Sequence, residues 1–410
     1  MKRMQAYKFE LMPNGAQARA MSQYAGACRF VYNKALAWQN KQYQTDNSFK
    51  FSYTKIANLL PQWKSELDWL RDAPSQTLQQ SLKRLESGFR NFLAKRTDFP
   101  KFKKKGVSDS FRFPQGLKLE HHNNRIFLPK LGWLRYRNSN EVLGTVKNIT
   151  ISQKCGKWYV SVQTEREVET PVHSSTGIIG VDLGIARFAT LSNGQVFQTV
   201  NSFKKKQIKL ARYQRALARK IKFSHNWKKQ KDKISKLHIT IANIRKDYLH
   251  KTTTTISQNH AMIVIEALQV RNMSKSAKGT IKAKGLNVKA KSGLNRSILD
   301  QGWSEFRHQL EYKQLRLGGR VLAIAPHYTS QRCSCCGHIA NDNRKSQDKF
   351  ACVSCGYEAN ADLNAARNIL AAGHAVLVCG EMVQRGRSVK HEPTEGTHKS
   401  AREPVGISAL

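Results

Sequence analysis

The sequence predicts a multidomain α+β chain: a β-barrel carrying a helical insertion, then an α/β domain interrupted by a cysteine-rich unit. Three observations predict it. A strand-like amino terminus is parted from later strand-like segments by the helical stretch 16–95. A second set of strands opens after a polar linker at 170–175. Two C-x-x-C knuckles, Cys333/Cys336 and Cys352/Cys355, precede a last helix.

Residues 6–12 alternate apolar and polar and stop at the turn signal Pro13-Asn14-Gly15. Phe30, Tyr32, Leu36 and Trp38 open the helical stretch, and Leu82, Leu85, Phe89 and Phe92 close it at spacings of three and four. Pro100 and the basic run at 101–105 break it. Short strands are expected at 110–113, 125–128, 133–136, 146–151 and 158–163. After the linker, Gly177–Gly184 starts a second domain, and Ser192-Asn193-Gly194 turns one strand into the next, as in a meander.

The stretch 203–250 is basic and helical. Leu210, Leu217 and Ile221 mark one stripe and Ile234, Leu237, Ile241, Ile244 and Tyr248 another, with His225-Asn226-Trp227 between them, so an antiparallel helical hairpin is expected. A buried strand follows at 261–265. Few apolar residues in 271–296 predict a flexible basic loop. A helix over 297–317, a strand over 321–325 and a helix over 361–372 complete the order, and a mobile polar tail is expected over 380–410.

Charge narrows the partners. The 410 residues hold 70 Lys and Arg against 28 Asp and Glu, a net +42. Such an excess repels itself unless a polyanion matches it, and nucleic acid does so with release of counterions. No segment approaches the roughly 20 apolar residues of a membrane span, and the first residues lack a signal peptide's apolar core. A cytoplasmic protein with no membrane partner is expected, as a monomer.

With acids so scarce, three stand out. Asp182 lies in an apolar strand before Gly184, Glu266 ends the strand 261–265, and Asp362 opens a helix. Carboxylates gathered at buried element ends repel unless something relieves them, and divalent metal is the usual relief. Two Mg²⁺ ions about 4 Å apart, held by carboxylates, are the apparatus of phosphodiester hydrolysis. Two strand acids and a helix acid, far apart in sequence, suit an RNase H-like sheet.

Five of the 8 cysteines crowd between Cys333 and Cys355. In a reducing compartment this favours metal over disulfides. Cys333, Cys336, Cys352 and Cys355 would close a tetrahedral structural zinc site, with Gly337 and Gly356 allowing the tight turns. Cys335 is a spare that could replace Cys333.

At these residues the sequence resembles a known family. Gly180-Val181-Asp182-Leu183-Gly184, the Glu266 strand, Thr329-Ser330-Gln331-x-Cys333-x-x-Cys336-Gly337, the Cys352 knuckle and Asp362-x-Asn364-Ala365-Ala366-x-Asn368-Ile369 occur in the order and wording of the RuvC-like nuclease domain of TnpB proteins. These are encoded by bacterial insertion-sequence transposons (the OrfB type) and are related to type V CRISPR effectors. Gly302-Trp303-x-x-Phe306 with Leu310-x-Tyr312-Lys313, Ala27–Asn33 and Phe99–Lys103 are also similar, so the resemblance spans roughly 5–380.

The resemblance implies a wedge β-barrel (1–15 and 96–170), a helical recognition insertion (16–95), an RNase H-like RuvC nuclease domain (176–327 and 359–375) and a zinc ribbon (328–358). It implies Asp182, Glu266 and Asp362 as catalytic ligands of Mg²⁺, two ions in number, and Cys333, Cys336, Cys352 and Cys355 as ligands of one Zn²⁺. It further implies a guide RNA from the transposon end. Guide-matched double-stranded DNA would be cut beside a short adjacent motif, with sequence read by base pairing. Two other functions share much of this apparatus: a DNA-joining transposase, and an RNA-guided DNA-binding repressor that has lost cleavage.

Overall fold

The computed structural model describes residues 1–107, 109–280 and 283–384, with 378–384 as backbone only. Two compact units are present: 1–171 with 209–239, and 172–208 with 240 onward.

In the first unit the alternation begins earlier than expected, giving β1 (Lys2–Met12). The turn signal after it is a helix start. Asn14 accepts from the Gln17 amide and the Gln17 side chain accepts from the Asn14 amide, a reciprocal cap for α1 (Gly15–Thr45). Helices α2 (Tyr53–Ala57), α3 (Leu60–Glu66) and α4 (Ser75–Leu93) follow. Six strands follow: β2 (Ser110–Phe113), β3 (Lys118–Glu120), β4 (Arg125–Leu128), β5 (Gly132–Tyr136), β6 (Thr145–Lys154) and β7 (Lys157–Glu167). The sequence reading missed β3, whose three residues are too few to show alternation.

The strands form one antiparallel sheet in the order β2-β6-β7-β1-β5-β4-β3. Among the described residues no pairing joins β2 to β3, so hydrogen bonds do not close the expected barrel. Tyr7, Phe9 and Leu11 of the sheet share a single core with Val31 and Leu36 of α1 and Leu82 and Leu85 of α4. The helical segment is thus a layer on the sheet.

The basic stretch forms α5 (Ser202–Ala218) and α6 (His225–Asn259). His225-Asn226-Trp227 is the first turn of α6, not the link between helices, because Ser224 caps it by accepting from the Trp227 amide. Ile221 is 84% exposed, so it belongs to the link and not to an apolar stripe.

The second unit holds β8 (Ile178–Leu183), β9 (Arg187–Leu191), β10 (Val196–Gln198), β11 (Met262–Glu266) and β12 (Arg320–Ile324) in the order β10-β9-β8-β11-β12. The meander β8–β10 is antiparallel, while β8, β11 and β12 run parallel. Parallel strands need long crossovers, which accounts for the helices between them. The stretch read as a flexible loop carries structure: α7 (Val270–Met273) and most of α8 (Val288–Gln301) lie there. Lys291 and Asn295 of α8 donate to the Met273, Ser274 and Lys275 carbonyls. Polar docking of this kind leaves little apolar signal in sequence. Gly302, at φ +74°, separates α8 from α9 (Trp303–Leu317), where one helix was expected.

A hairpin of β13 (Lys349–Ala351) and β14 (Glu358–Asn360) lies in the cysteine region, and α10 (Ala361–Gln384) follows. This helix continues twelve residues beyond the expected 372. The expected tail overlaps it at 380–384, and the rest of that tail lies outside the described residues. A Cβ built on Gly180 of β8 would stand 2.2 Å from the Ala366 carbonyl oxygen, and one on Gly373 would stand 2.5 Å from Val264. The helix therefore rests on the sheet at backbone contact. Gly180→Ala is expected to cost about 1–3 kcal/mol, the usual cost of overpacking. A fall in the urea midpoint at unchanged m-value would show it.

Candidate active site and cysteine ribbon

Two neighbouring parallel strands deliver the first two acids. Ile265 pairs with Val181, so Glu266, the last residue of β11, lies beside Asp182 of β8. Asp362 comes from the first turn of α10, which Asn360 caps by accepting from the Asp362 and Leu363 amides. All three half-buried carboxylates line one cleft of about 300 Å³, with Arg187, Thr329 and Arg344.

Their electrostatics are strained. Burial, and then the charges of Glu266 and Asp362, push the Asp182 carboxyl up to about 7 against the opposing Arg344. Burial raises Glu266, opposed by a hydrogen bond from Thr329. Burial also raises Asp362, opposed by Arg187 and Arg344. Three oxygen donors that resist ionising together fit hard divalent cations, which favour the charged forms. Among the described residues, only the cysteines form a group of three or more ligating side chains within 4.8 Å of one another.

The Sγ atoms of Cys333, Cys336, Cys352 and Cys355 make up that group, with Cys333–Cys355 at 3.7 Å and Cys336–Cys352 at 3.6 Å. Cys335 is exposed and lies outside it. Gly337 and Gly356 adopt φ +81° and +70°, and their amides donate to the Cys333 and Cys352 carbonyls. Burial raises the Cys352 thiol, but the Cys355 and Ser354 amides, together with the neighbouring Cys355 and Cys336 side chains, more than reverse this and bring it to about 6. Four soft donors so arranged suit tetrahedral zinc with no open position.

Sequence reasoning found the acids and thiols but assigned nothing to Arg187, Arg344 or Thr329. Arg187 reaches Asp362 at 3.8 Å and Asp348 at 3.7 Å. Thr329 Oγ1 donates to Glu266 Oε1 at 2.6 Å. Thr329 stood in the quoted motif, so its position was visible although its partner was not. The arginines carried no signal in a chain with 70 basic residues.

Comparison with known proteins bears on the whole chain. A family model described as "Probable transposase" matches residues 161–277, a "Cas12f1-like, TNB domain" matches 303–369, and a "Helix-turn-helix domain" matches 1–48. The "Putative RNA-guided DNA endonuclease InsQ" of Escherichia coli (strain K12) is 64% identical, over 96% of this chain and 98% of its own. The chain belongs to the TnpB family. A second TnpB-family relative, the "Putative RNA-guided DNA endonuclease" of Streptomyces pristinaespiralis, is 32% identical over 96% of this chain and 97% of its own. The fold is similar to that of Cas12f1 in its complex with sgRNA and target DNA. The TM-score is 0.56 at 14% identity, over 87% of this chain and 82% of that one. As in that comparison, this TnpB-family chain is a mixed α/β multidomain protein. None of its described helices is long and apolar enough to cross a membrane.

Proposed function

We propose that the chain is an RNA-guided, magnesium-dependent DNA endonuclease encoded by an insertion-sequence transposon. It would cut guide-matched double-stranded DNA next to a short adjacent motif. The observation that carries this reading is the meeting of Asp182, Glu266 and Asp362 in one cleft, from β8, β11 and α10. Relatives bearing the name RNA-guided DNA endonuclease over nearly their whole length support it. The mixed sheet supports its RuvC-like, RNase H-type layout.

Asp182, Glu266 and Asp362 would hold the Mg²⁺ ions. The ions, when held there, would supply an activated water and a counter-charge for the leaving oxygen. The half-buried acids keep strong attraction for the ions, because less water screens them. Arg187 and Arg344 at the cleft offer guanidinium donors that match a phosphate. Cys333, Cys336, Cys352 and Cys355 would hold one Zn²⁺ that fastens the ribbon.

The guide RNA would come from the transposon end, and the basic helices α5 and α6 are its candidate platform. Lys204, Lys205, Lys209, Arg212 and Arg215 are all exposed on α5. Reversing Lys205, Lys209, Arg212 and Arg215 to Glu is expected to weaken RNA binding. It should also flatten the dependence of log K on log salt by about 0.7 per lost phosphate contact. An unchanged slope in filter binding would make this a merely solvated face.

The reading as a whole is tested by purifying the chain from cells carrying its transposon end and sequencing the bound RNA. A discrete RNA whose removal abolishes Mg²⁺-dependent cutting of a matched duplex is expected. Cleavage or strand joining that persists without RNA would favour a DNA-joining transposase instead.

A further inference from the structure

We propose that Thr329 is a positioning residue that fixes the Glu266 carboxylate and ties it, through Asn368, to the cysteine ribbon; this rests on the nuclease reading above. Glu266 is the final residue of β11, so its backbone is set by the sheet while its side chain extends beyond it. Thr329 Oγ1 donates to Glu266 Oε1 at 2.6 Å, the short length of a charge-assisted bond, and leaves the other oxygen available to the cleft. Thr329 is itself buried, at 8% exposure.

What holds Thr329 is α10. Asn368 Nδ2 donates to the Thr329 carbonyl at 2.9 Å and to the Arg332 carbonyl at 2.6 Å. One turn earlier, Asn364 Nδ2 donates to the same Arg332 carbonyl at 2.8 Å. Its Oδ1 accepts from the Ser334 amide, inside the first knuckle, at 3.0 Å. Both asparagines are buried, at 6% and 0% exposure. The helix that presents Asp362 from its first turn therefore also clamps the segment that orients Glu266. That segment runs directly into the thiolate cluster. One rigid unit thus sets two of the three acids relative to each other, and the ribbon is part of it.

Groups that orient a metal-binding side chain from outside are worth about 10–100-fold in metal affinity. The test uses the full chain with its RNA, and Mn²⁺ as the probe, titrated by calorimetry alongside Asp182→Ala. Thr329→Val keeps the shape and removes the hydroxyl, while Thr329→Ser keeps the hydroxyl. Expected results are a 10–100-fold weaker Mn²⁺ affinity in Thr329→Val, near-wild-type affinity in Thr329→Ser, and unchanged zinc content in both. The Mn²⁺ concentration for half-maximal cleavage should rise in parallel, with duplex binding unchanged.

Equal Mn²⁺ affinity in Thr329→Val and wild type overturns the proposal, as does an equal defect in Thr329→Ser and Thr329→Val. Should the valine variant fail to fold, Thr329→Ala deletes the same hydroxyl and carries the same expectation. If the wild type binds no Mn²⁺ that Asp182→Ala removes, the nuclease reading fails and this proposal falls with it.

Discussion

Asp182→Ala is expected to abolish Mg²⁺-dependent cleavage while leaving the fold intact. Removing a group that only orients a ligand costs about 10–100-fold, so deleting a ligand should cost at least about a hundredfold. Cleavage of a matched duplex by protein carrying its RNA measures this, with duplex binding as the control. Undiminished cutting would falsify the role given to Asp182.

The same site makes a second, opposite expectation about stability. Asp182 ionises near 7 when folded, well above an ordinary aspartate, because burial and two neighbouring acids oppose its charge. A raised carboxylate pKa destabilises the fold once the group is forced to ionise. The penalty is absent below about pH 4, grows from there to about pH 7, and is complete above it. Without divalent metal, Asp182→Asn should therefore stabilise the protein at pH 8, on the order of 2 kcal/mol after allowance for solvent. The gain should shrink as pH falls towards 4. Thermal melts in chelator at pH 8 and pH 4.5 measure it, and a destabilised Asp182→Asn at pH 8 would contradict the strained-acid picture. Loss of activity joined to gain of stability is the trade-off expected of a strained active site.

The second large effect concerns the ribbon. Structural zinc contributes about 10–16 kcal/mol of apparent binding free energy in small metal-dependent units. The ribbon's own core is small, centred on Phe350, Cys333, Cys352 and Ala361. Cys352→Ser is expected to lower bound zinc from one per chain towards none and to unfold 328–358. Cys335→Ser should change neither, since Cys335 lies outside the cluster. Metal analysis gives the stoichiometry, and hydrogen exchange locates the loosening. Because Asn364 and Asn368 bind the ribbon to α10, exchange should also quicken in that helix's first turns. Protection confined to its wild-type pattern would show that the ribbon folds without metal.

Local signals carried much of the fold. Alternation located β2 and β4 at the bounds the structure shows, because half-buried strands write their two faces at period two. The signals failed where chemistry was non-local or too short. Asn14 signals a turn in sequence but caps a helix in the structure, because a cap and a turn use the same residue. The helix α8 has the sequence of a loop because it docks through Lys291 and Asn295, not through an apolar stripe. Asp182, Glu266 and Asp362 were legible because acids are rare in this chain and lie at the ends of apolar segments.

The sequence by itself determined the polyanion preference, the knuckle cysteines, the three isolated acids and the family. Each is a matter of which residues are present and how they are spaced. Only the tertiary structure decided that Ile265 pairs with Val181, that Cys335 stands outside the thiolate cluster, and that Thr329 grips Glu266. Those facts depend on strand register and on α10 resting against Gly180. Register and close approach are set by many distant contacts acting together, so no single stretch of sequence spells them out.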